Sequence, residues 1–180
     1  MSRIGKKPIE IPEKVAVDIN AGAISVKGPK GELSWGYPDK MTVSLNDKVV
    51  SVTRSGDTKA ERALHGLTRS IISNMVLGVS QGYQKVLEIT GVGYKAQVAG
   101  DKIMFTLGYS HPIEFQLPAG IKAAVDPKQV QITLSGVDKQ QLGQVAASLK
   151  GLRLPDAYKG KGIRYAGERL KLKAGKAGKK

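Results

Sequence analysis

Hydrophobic and polar positions alternate in two stretches near the start of the chain. Val15, Val17 and Ile19 are separated by single small or polar residues, and Ile24 and Val26 repeat the pattern a few positions later. A period of two places successive side chains on opposite faces of a β-strand. The pattern therefore predicts two strands, each with one buried face.

A hairpin and a long helix are predicted next. The turn-forming residues "NDK" at 46–48 separate the alternating stretches "MTVSL" and "VVSVT". From Lys59 onward the apolar residues recur every three or four positions, which indicates a helix of about twenty residues. The predicted core-facing stripe consists of Ala60, Ala63, Leu64, Leu67, Ile71 and Met75. The segment "GVSQG" at 78–82 ends this helix.

The second half of the chain also begins with strands and ends with a helix. The stretches "KVLEI", "YKAQV", "IMFTL", "IEFQL" and "VQITL" predict strands, with a tight turn at "AGDK", residues 99–102. Asp138 and Gln141 have the spacing of a capping box at the start of the second helix. Its predicted buried stripe is Leu142, Val145, Ala146, Leu149 and Leu152. Pro155 limits this helix because proline has no backbone N–H.

An internal similarity favours two related domains. Residues 11–28 and 117–136 each contain a hydrophobic residue followed by proline, then two short strands and a glycine, and a helix follows each. We therefore predict an α+β fold of two similar small domains, each an antiparallel sheet with a helix packed on one face. The predicted boundaries are 1–81 for the first domain, 82–154 for the second and 155–180 for a basic extension.

Positive charge is concentrated towards the C-terminal end. The chain has 29 Lys and Arg against 15 Asp and Glu, a net charge of +14, and residues 150–180 carry 11 basic and 2 acidic residues, or +9. Such a concentration attracts a polyanion and releases its counterions on binding. The alternative is a solvated tail that only keeps the protein in solution, although acidic residues serve that purpose better.

The sequence argues against several classes of protein. It contains no cysteine, which removes disulfide frameworks, thiolate metal sites and cysteine nucleophiles. The N-terminus lacks the apolar core of a secretory signal, and no stretch approaches the roughly 20 apolar residues of a membrane span. We expect a cytoplasmic protein with no cofactor, metal, small-molecule substrate or membrane partner.

No catalytic constellation is recognisable. The two histidines, His65 and His111, are far apart in sequence, and no nucleophile elbow or phosphate-binding loop is present. His65 shares a predicted helix face with Arg62 and Arg69, which indicates either an ordinary solvated face or an RNA contact. An enzyme is therefore the least supported of the alternatives.

The segment "YKGKGIRY", residues 158–165, concentrates groups suited to nucleic acid. Because glycine has no Cβ, backbone can lie against a crowded surface while neighbouring lysines reach phosphates. Arginine offers a planar fork for bidentate contacts. Each tyrosine either stacks on an unpaired base or packs against the domain. The candidate RNA-binding residues of this segment are Tyr158, Lys159, Gly160, Lys161, Gly162, Arg164 and Tyr165.

The candidate site continues towards the end of the chain. Arg169, Lys171 and Lys173 alternate with leucines in a strand-like pattern. Lys176 lies in "KAGKAGKK", which has no large apolar residue and is predicted to order only on its partner. No DNA-recognition helix is visible, whereas extended Gly/Lys segments with tyrosines suit the loops and irregular grooves of RNA. RNA is therefore the predicted partner.

Five separated motifs resemble one known family. They are "MSRIGKKPIEIP" at the start, "VKGPKGEL" at 26–33, "ALHGLTRSIISNMVLGV" at 63–79, "GVGYKA" at 91–96 and "YKGKGIRYAGE" at 158–168. Together, and in this order, they are similar to the bacterial large-subunit ribosomal protein family conventionally numbered six. The family motif at 159–165 is matched at every position, whereas Ala157 stands where the family commonly has proline, which would loosen that turn.

The resemblance implies a non-catalytic protein of two similar α+β domains. It implies binding to 23S rRNA, chiefly through the second domain and the extension. It also implies a position near the stalk base, with neighbouring large-subunit proteins and beside the rRNA loop that translation GTPases engage. Because residues 91–95 match the family, Lys95 becomes a secondary RNA-contact candidate. A free-standing nucleic-acid-binding protein or chaperone is the alternative, and it would bind unrelated RNA and DNA with similar affinity.

Overall fold

The computed structural model describes residues 3–20 and 22–175, and it divides the chain into two compact units. The first is Met1–Gly82 with Val137–Lys139, and the second is Tyr83–Gly136 with Gln140–Lys180. Each unit has strands, a helix and a hydrophobic core of its own, so the predicted α+β class is confirmed. The functional boundaries 1–81, 82–154 and 155–180 stay a prediction.

The described part of the first unit contains two antiparallel sheets of three strands and one helix. Its elements are β1 (Ile9–Glu10), β2 (Ala16–Asn20), β3 (Ala23–Gly28), β4 (Gly31–Gly36), β5 (Met41–Asn46), β6 (Val49–Arg54) and α1 (Lys59–Ser80). One sheet has the order β1-β6-β5 and the other β2-β3-β4. The predicted alternation is confirmed, because Val17 and Val26 pair across β2 and β3 with both side chains buried.

Helix α1 begins at a capping box that the sequence analysis did not single out. The hydroxyl of Thr58 accepts a hydrogen bond from the Glu61 backbone N–H, and the Glu61 carboxylate accepts one from the Thr58 N–H. This exchange satisfies donors that the first helical turn leaves free. It also lowers the pKa of Glu61, chiefly through the hydrogen bond that the Thr58 hydroxyl donates to the carboxylate.

The predicted stripe of α1 is confirmed only in part. Met75 is buried, and Leu64 and Ile71 pack against the core, but Ala60 and Ala63 are exposed and Leu67 is 52% exposed. His65, Thr68 and Ile72 are buried in addition. The sequence contains two apolar rows on this helix, and the row continued by Ile72, Met75, Val76 and Val79 packs on the sheets. The alternative row begins with Ala60, and alanine gains little from burial.

The described part of the second unit contains a three-stranded and a four-stranded antiparallel sheet. Its elements are β7 (Tyr83–Thr90), β8 (Lys95–Ala99), β9 (Lys102–Thr106), β10 (Ile113–Gln116), β11 (Ile121–Val125), β12 (Gln131–Gly136), α2 (Lys139–Leu152, from Gln140 onward in this unit) and β13 (Gly162–Tyr165). The sheets have the orders β10-β9-β8 and β11-β12-β7-β13. The last strand was not predicted, and it comes from the basic extension.

The predicted stripe of α2 is confirmed. Leu142, Val145, Ala146 and Leu149 are buried in the core of the second unit, and Leu152 packs against the same core. The helix ends at Leu152, three residues before Pro155. The chain then crosses to the sheet edge, where the candidate site begins.

Candidate nucleic-acid interface

Strand β13 lies in the middle of the segment proposed to bind RNA. It pairs antiparallel with β7, with Gly162 opposite Thr90, and Ile163 is fully buried in the core. The core of the second unit therefore includes a residue from the segment that was predicted to be a separate extension. The hydrophobic pattern did not predict this strand, because its one strongly buried side chain, Ile163, is surrounded by Gly, Lys and Arg.

Gly162 fits a position that no other residue could occupy without strain. Its φ is 147°, and a Cβ added here would lie 2.7 Å from the carbonyl oxygens of Arg153 and Leu154. The Ile163 N–H donates to the Arg153 carbonyl at 2.8 Å. The close backbone approach predicted for this glycine therefore occurs within the protein, between β13 and the segment that leaves α2.

A compact turn precedes β13 and presents two of the candidate lysines. The Asp156 carboxylate accepts hydrogen bonds from the backbone N–H groups of Tyr158 at 3.2 Å and Lys159 at 2.9 Å. The main chain closes the turn, because the Asp156 N–H donates to the Lys161 carbonyl at 2.9 Å. The backbone N–H of Lys159 is the main cause of the lowered pKa of Asp156. The resemblance led us to expect a looser turn, because Ala157 stands where the family commonly has proline. These hydrogen bonds hold the turn without that proline.

The chain beyond β13 folds back across this turn. The Lys173 N–H donates to the Ala157 carbonyl at 2.7 Å. A Cβ on Gly160, whose φ is 66°, would lie 3.2 Å from Leu170 and 3.6 Å from Leu172. The strand predicted from the alternation at 169–173 is therefore wrong: these residues form an extended return segment outside any sheet, with its leucines over a buried glycine.

Five candidate cations are exposed on the turn and the return segment. None of them forms an ion pair within the described ranges, 3–20 and 22–175. Tyr158 lies beside them with 57% of its surface exposed. The five are Lys159, Lys161, Arg169, Lys171 and Lys173. Lys176, the remaining candidate of the extension, lies outside the described residues.

Arg164 and Tyr165 are held by the protein itself. The Nε and Nη2 atoms of Arg164 both lie 2.9 Å from Oε2 of Glu88 on the neighbouring strand. The ammonium groups of Lys85 and Lys150 lie over the Tyr165 ring, 4.8 and 4.9 Å from its centroid. Of the two interpretations offered for a tyrosine, packing describes Tyr165. An RNA contact by Arg164 would compete with Glu88.

Glu168 covers the free edge of β13. Its carboxylate accepts a hydrogen bond from the Tyr165 N–H at 3.0 Å and another from the Lys150 ammonium at 2.6 Å. The hydrogen bond from Lys150 is the main cause of the lowered pKa of Glu168, and the Tyr165 N–H adds to it. An unpaired edge N–H group is thereby satisfied, and the direction of the return segment is set.

Two further loops meet the same end of the second unit. Thr90 pairs with Gly162, and Val92 lies two residues after it in a loop. The side chain of Val92 is 91% exposed. Tyr109 donates its hydroxyl to the Leu152 carbonyl at 3.0 Å, and the Arg153 guanidinium lies 4.9 Å from the centre of its ring. The sequence analysis missed both residues, although a valine flanked by two glycines in "GVG" was a signal for an exposed loop tip. Lys95 follows this loop and is exposed on β8.

His65 on helix α1 does not lie on the polar face that the sequence predicted for it. His65 is 3% exposed, with Nε2 2.8 Å from the Val52 carbonyl and Nδ1 3.1 Å from Arg54. Neither a solvated face nor an RNA contact describes this histidine, which is a core residue. Arg62 is exposed, and Arg69 donates to the carbonyl groups of Lys7 and Pro8 at 3.1 and 3.3 Å.

The described residues contain no group of three or more His, Cys, Asp or Glu that could hold a metal ion. In the same part of the chain, no helix is long and apolar enough to cross a membrane. His111 is exposed between β9 and β10.

Two small α+β units and a cation-rich segment held by carboxylates are typical of the class of proteins that bind polyanions. Comparison with known proteins gives the family. The family model described as "Ribosomal protein L6" matches residues 11–82 and again 90–166. The chain belongs to this family of structural, non-enzymatic ribosomal proteins, for which RNA binding is a general property. The two matched segments also agree with the predicted internal repeat.

Curated relatives match over essentially the whole chain. A protein of Thermodesulfovibrio yellowstonii is 60% identical over 180 residues, which is 100% of both chains. One from Picosynechococcus is 52% identical, also over the full length of both. One from Caldicellulosiruptor saccharolyticus is 53% identical over 99% of this chain and 98% of its own. Each is named large ribosomal subunit protein uL6. The resemblance stated from the motifs, and with it the cytoplasmic ribosomal location, is confirmed.

Proposed function

We propose that this protein is a structural constituent of the large ribosomal subunit that binds 23S rRNA. One observation carries the proposal: five exposed cations without ion pairs lie on a segment that the sheet of the second unit holds in place. The names of the relatives, large ribosomal subunit protein uL6, support the choice of subunit.

The turn and the return segment would act together as one clamp on the RNA backbone. Lys159 and Lys161 project from the turn, and Arg169, Lys171 and Lys173 from the chain that folds across it. Because the fold already holds this backbone, less conformational entropy is lost when the phosphates are bound. Phosphate contacts of this kind position a protein on RNA without reading its sequence.

The aromatic and loop residues would supply contacts to unpaired bases. Tyr158 is exposed beside the cations, and a tyrosine ring can stack on a base that has left the helix. Val92 projects from the neighbouring loop, and Lys95 follows as a secondary phosphate contact. Arg164 would contribute only if a phosphate displaced Glu88 from its guanidinium.

We further propose a position near the stalk base, next to neighbouring large-subunit proteins and within reach of translation GTPases. The family resemblance supports this placement. In this arrangement residues 1–81 and 82–154 are the folded domains, and 155–180 is the RNA-binding extension with Lys176 beyond the return segment. The strand at 162–165 anchors that extension in the second domain.

The salt dependence of binding tests the clamp. Roughly five to eight phosphate contacts should give a slope of about −0.7 to −0.9 per contact in a plot of log K against log salt. We would compare Lys159→Gln/Lys161→Gln with the matched pair Lys122→Gln/Lys128→Gln, which are exposed lysines of the same unit. The first pair should flatten the slope by about 1.4 to 1.8, and the second should leave it unchanged. Equal slopes for both pairs would contradict the proposal.

A further inference from the structure

The first unit carries its own group of cations, formed by the N-terminal turn and helix α1. Residues 4–7 form a tight turn in which the Lys7 N–H donates to the Ile4 carbonyl at 3.2 Å. Arg3, Lys6 and Lys7 are all exposed on or beside this turn. A single turn therefore presents three positive side chains to solvent.

Helix α1 holds the turn at two points. A Cβ on Gly5 would lie 2.5 Å from the buried His65 ring, so only glycine allows this approach. One helical turn further on, Arg69 donates to the Lys7 and Pro8 carbonyls at 3.1 and 3.3 Å. These contacts make the turn part of the folded unit.

Arg62 adds a cation from the helix to the same surface. It precedes His65 by three residues and Arg69 by seven, so all three lie on one side of α1. The Glu61 carboxylate is the acidic group of this helix, and it is buried and already bound by Thr58 and Lys40. Within the stretch from Arg3 to Pro8 and along α1, no carboxylate is exposed.

Some cations of this unit have acidic partners: Lys27 pairs with Glu32, and Arg54 pairs with Asp57. Arg3, Lys7 and Arg62 form no ion pair with any residue that the structure describes, and the same is true of the exposed Lys14, Lys30 and Lys48. The first three differ in that they lie on the N-terminal turn and on the helix that holds this turn. Like charges gathered at one place repel, so their arrangement on an ordered turn costs folding free energy unless an anion compensates.

We propose that Arg3, Lys7 and Arg62 form a second RNA-binding site, on the first unit, that takes the phosphate backbone of a separate RNA segment. A protein partner would need an apolar centre to its interface. The exposed Leu67 lies two residues from Arg69, on the opposite side of the helix, and Ile4 is the large apolar side chain that the turn exposes. Phosphates require only cations and donors, which this surface supplies.

The inference rests on the proposed function, because both sites would bind the same rRNA. Two linked sites raise the overall affinity beyond that of either one, since the second contact becomes intramolecular. The clamp on the second unit would then give the main contact. The first unit would fix the protein's position on the folded RNA.

A charge-neutralised variant tests the site on 23S rRNA transcribed in vitro. The variant is Arg3→Gln/Lys7→Gln/Arg62→Gln, and its control removes three exposed lysines of the same unit, Lys14→Gln/Lys30→Gln/Lys48→Gln. Loss of three phosphate contacts should flatten the salt slope by about 2 to 3 and weaken binding at least tenfold near physiological salt. The control should bind as the unmodified chain does, and circular dichroism checks that all variants are folded.

Directed cleavage locates the RNA that each site contacts. Since the chain contains no cysteine, Ile4→Cys, Lys161→Cys and Lys48→Cys each carry a single thiol for an iron chelate that cleaves nearby RNA. In reconstituted large subunits, Ile4→Cys should cleave a segment different from that cleaved by Lys161→Cys. Cleavage by the chelate on Lys48→Cys measures the background level.

The outcomes separate the two proposals. If neutralising Lys159 and Lys161 changes nothing, the proposed function fails whatever the N-terminal variant does. If that pair weakens binding while the N-terminal triple matches its control, the clamp stands and the second site is overturned. Cleavage from Ile4→Cys at background level, or crosslinking of that thiol to a protein alone, also overturns the second site.

Discussion

Gly162 lies where β13 begins, beneath the two carbonyl groups of the segment that leaves α2. Two nearby carboxylates also fix the backbone. Asp156 accepts hydrogen bonds within the turn, and Glu168 accepts one from the edge of the strand. Mainly uncharged and acidic residues therefore fix the backbone of the interface, and the five exposed cations of the turn and the return segment can contact a partner. Charge composition alone indicated the partner class but not these supporting roles.

Replacing Gly162 tests the close approach. Gly162→Ala would place a Cβ 2.7 Å from two backbone oxygens, at a φ that alanine rarely adopts. We expect a loss of roughly 2–4 kcal/mol in the free energy of unfolding, measured by urea titration with far-UV circular dichroism. Gly175→Ala is the control, because nothing lies within 4 Å of its added Cβ. Equal stability of the two variants would contradict the described geometry.

The lowered pKa of Glu168 predicts an acid-sensitive interface. The folded chain binds this proton less readily than the unfolded chain, whose Glu pKa is near 4.5. The resulting stabilisation is fully present above that value and is lost as the pH falls through the folded-state pKa. We therefore expect Glu168→Gln to be less stable than the unmodified chain at pH 7 and the difference to shrink by pH 3.

Urea titrations at several pH values measure this difference. Glu13→Gln removes an exposed carboxylate that has no ion pair among the described residues, and it serves as the control. A stability difference for Glu168→Gln that stays constant from pH 7 to pH 3 would show that the carboxylate charge is not what holds the strand edge.

At the scale of elements, periodicity predicted most of the fold and failed in two informative places. The β2–β3 and β5–β6 pairs and the stripe of α2 follow from residue spacing. On α1 two apolar rows compete, and only the packed sheets decide that Ile72 rather than Leu67 is buried. Strand β13 has four residues, too few for its single buried isoleucine to outweigh the surrounding lysines and glycines.

Truncation tests whether β13 is part of the fold. Removing residues 155–180 should expose Leu87 and Ile89, the core residues of β7 that face Tyr165 and Ile163. We expect clear destabilisation of the second unit, because its core loses Ile163. Trp35, the one tryptophan, packs against the core of the first unit, so its native emission should persist in the truncated chain. A fully stable chain ending at Leu154 would show that β13 contributes nothing.

At the scale of the whole molecule, two matches to one family model correspond to two α+β units that carry their cations on different segments. The first unit presents them on the N-terminal turn, and the second on the extension after α2. The resemblance to a family could be recognised from five motifs in the sequence. The sequence could not show which cations are paired, because the partners can be far apart along the chain: Glu88 and Arg164 are separated by 76 positions.

Sedimentation separates a ribosomal constituent from a free RNA-binding protein. We expect the protein to travel with the large subunit at moderate salt, because its phosphate contacts are held by a rigid backbone. The Lys159→Gln/Lys161→Gln variant should be released at a lower salt concentration, and the Lys122→Gln/Lys128→Gln pair should behave as the unmodified chain. Similar affinity for unrelated RNAs and for DNA, with no co-sedimentation, would favour the free-standing protein.

The carboxylate of Glu168 has a practical consequence for anyone who wishes to strengthen RNA binding. Glu168→Lys would raise the net charge from +14 to +16. Net charge alone would therefore predict tighter binding to RNA. The exchange would also release Lys150 and the backbone of Tyr165, so the cations downstream would lose their fixed direction. In this protein a more positive tail should be a poorer ligand for RNA.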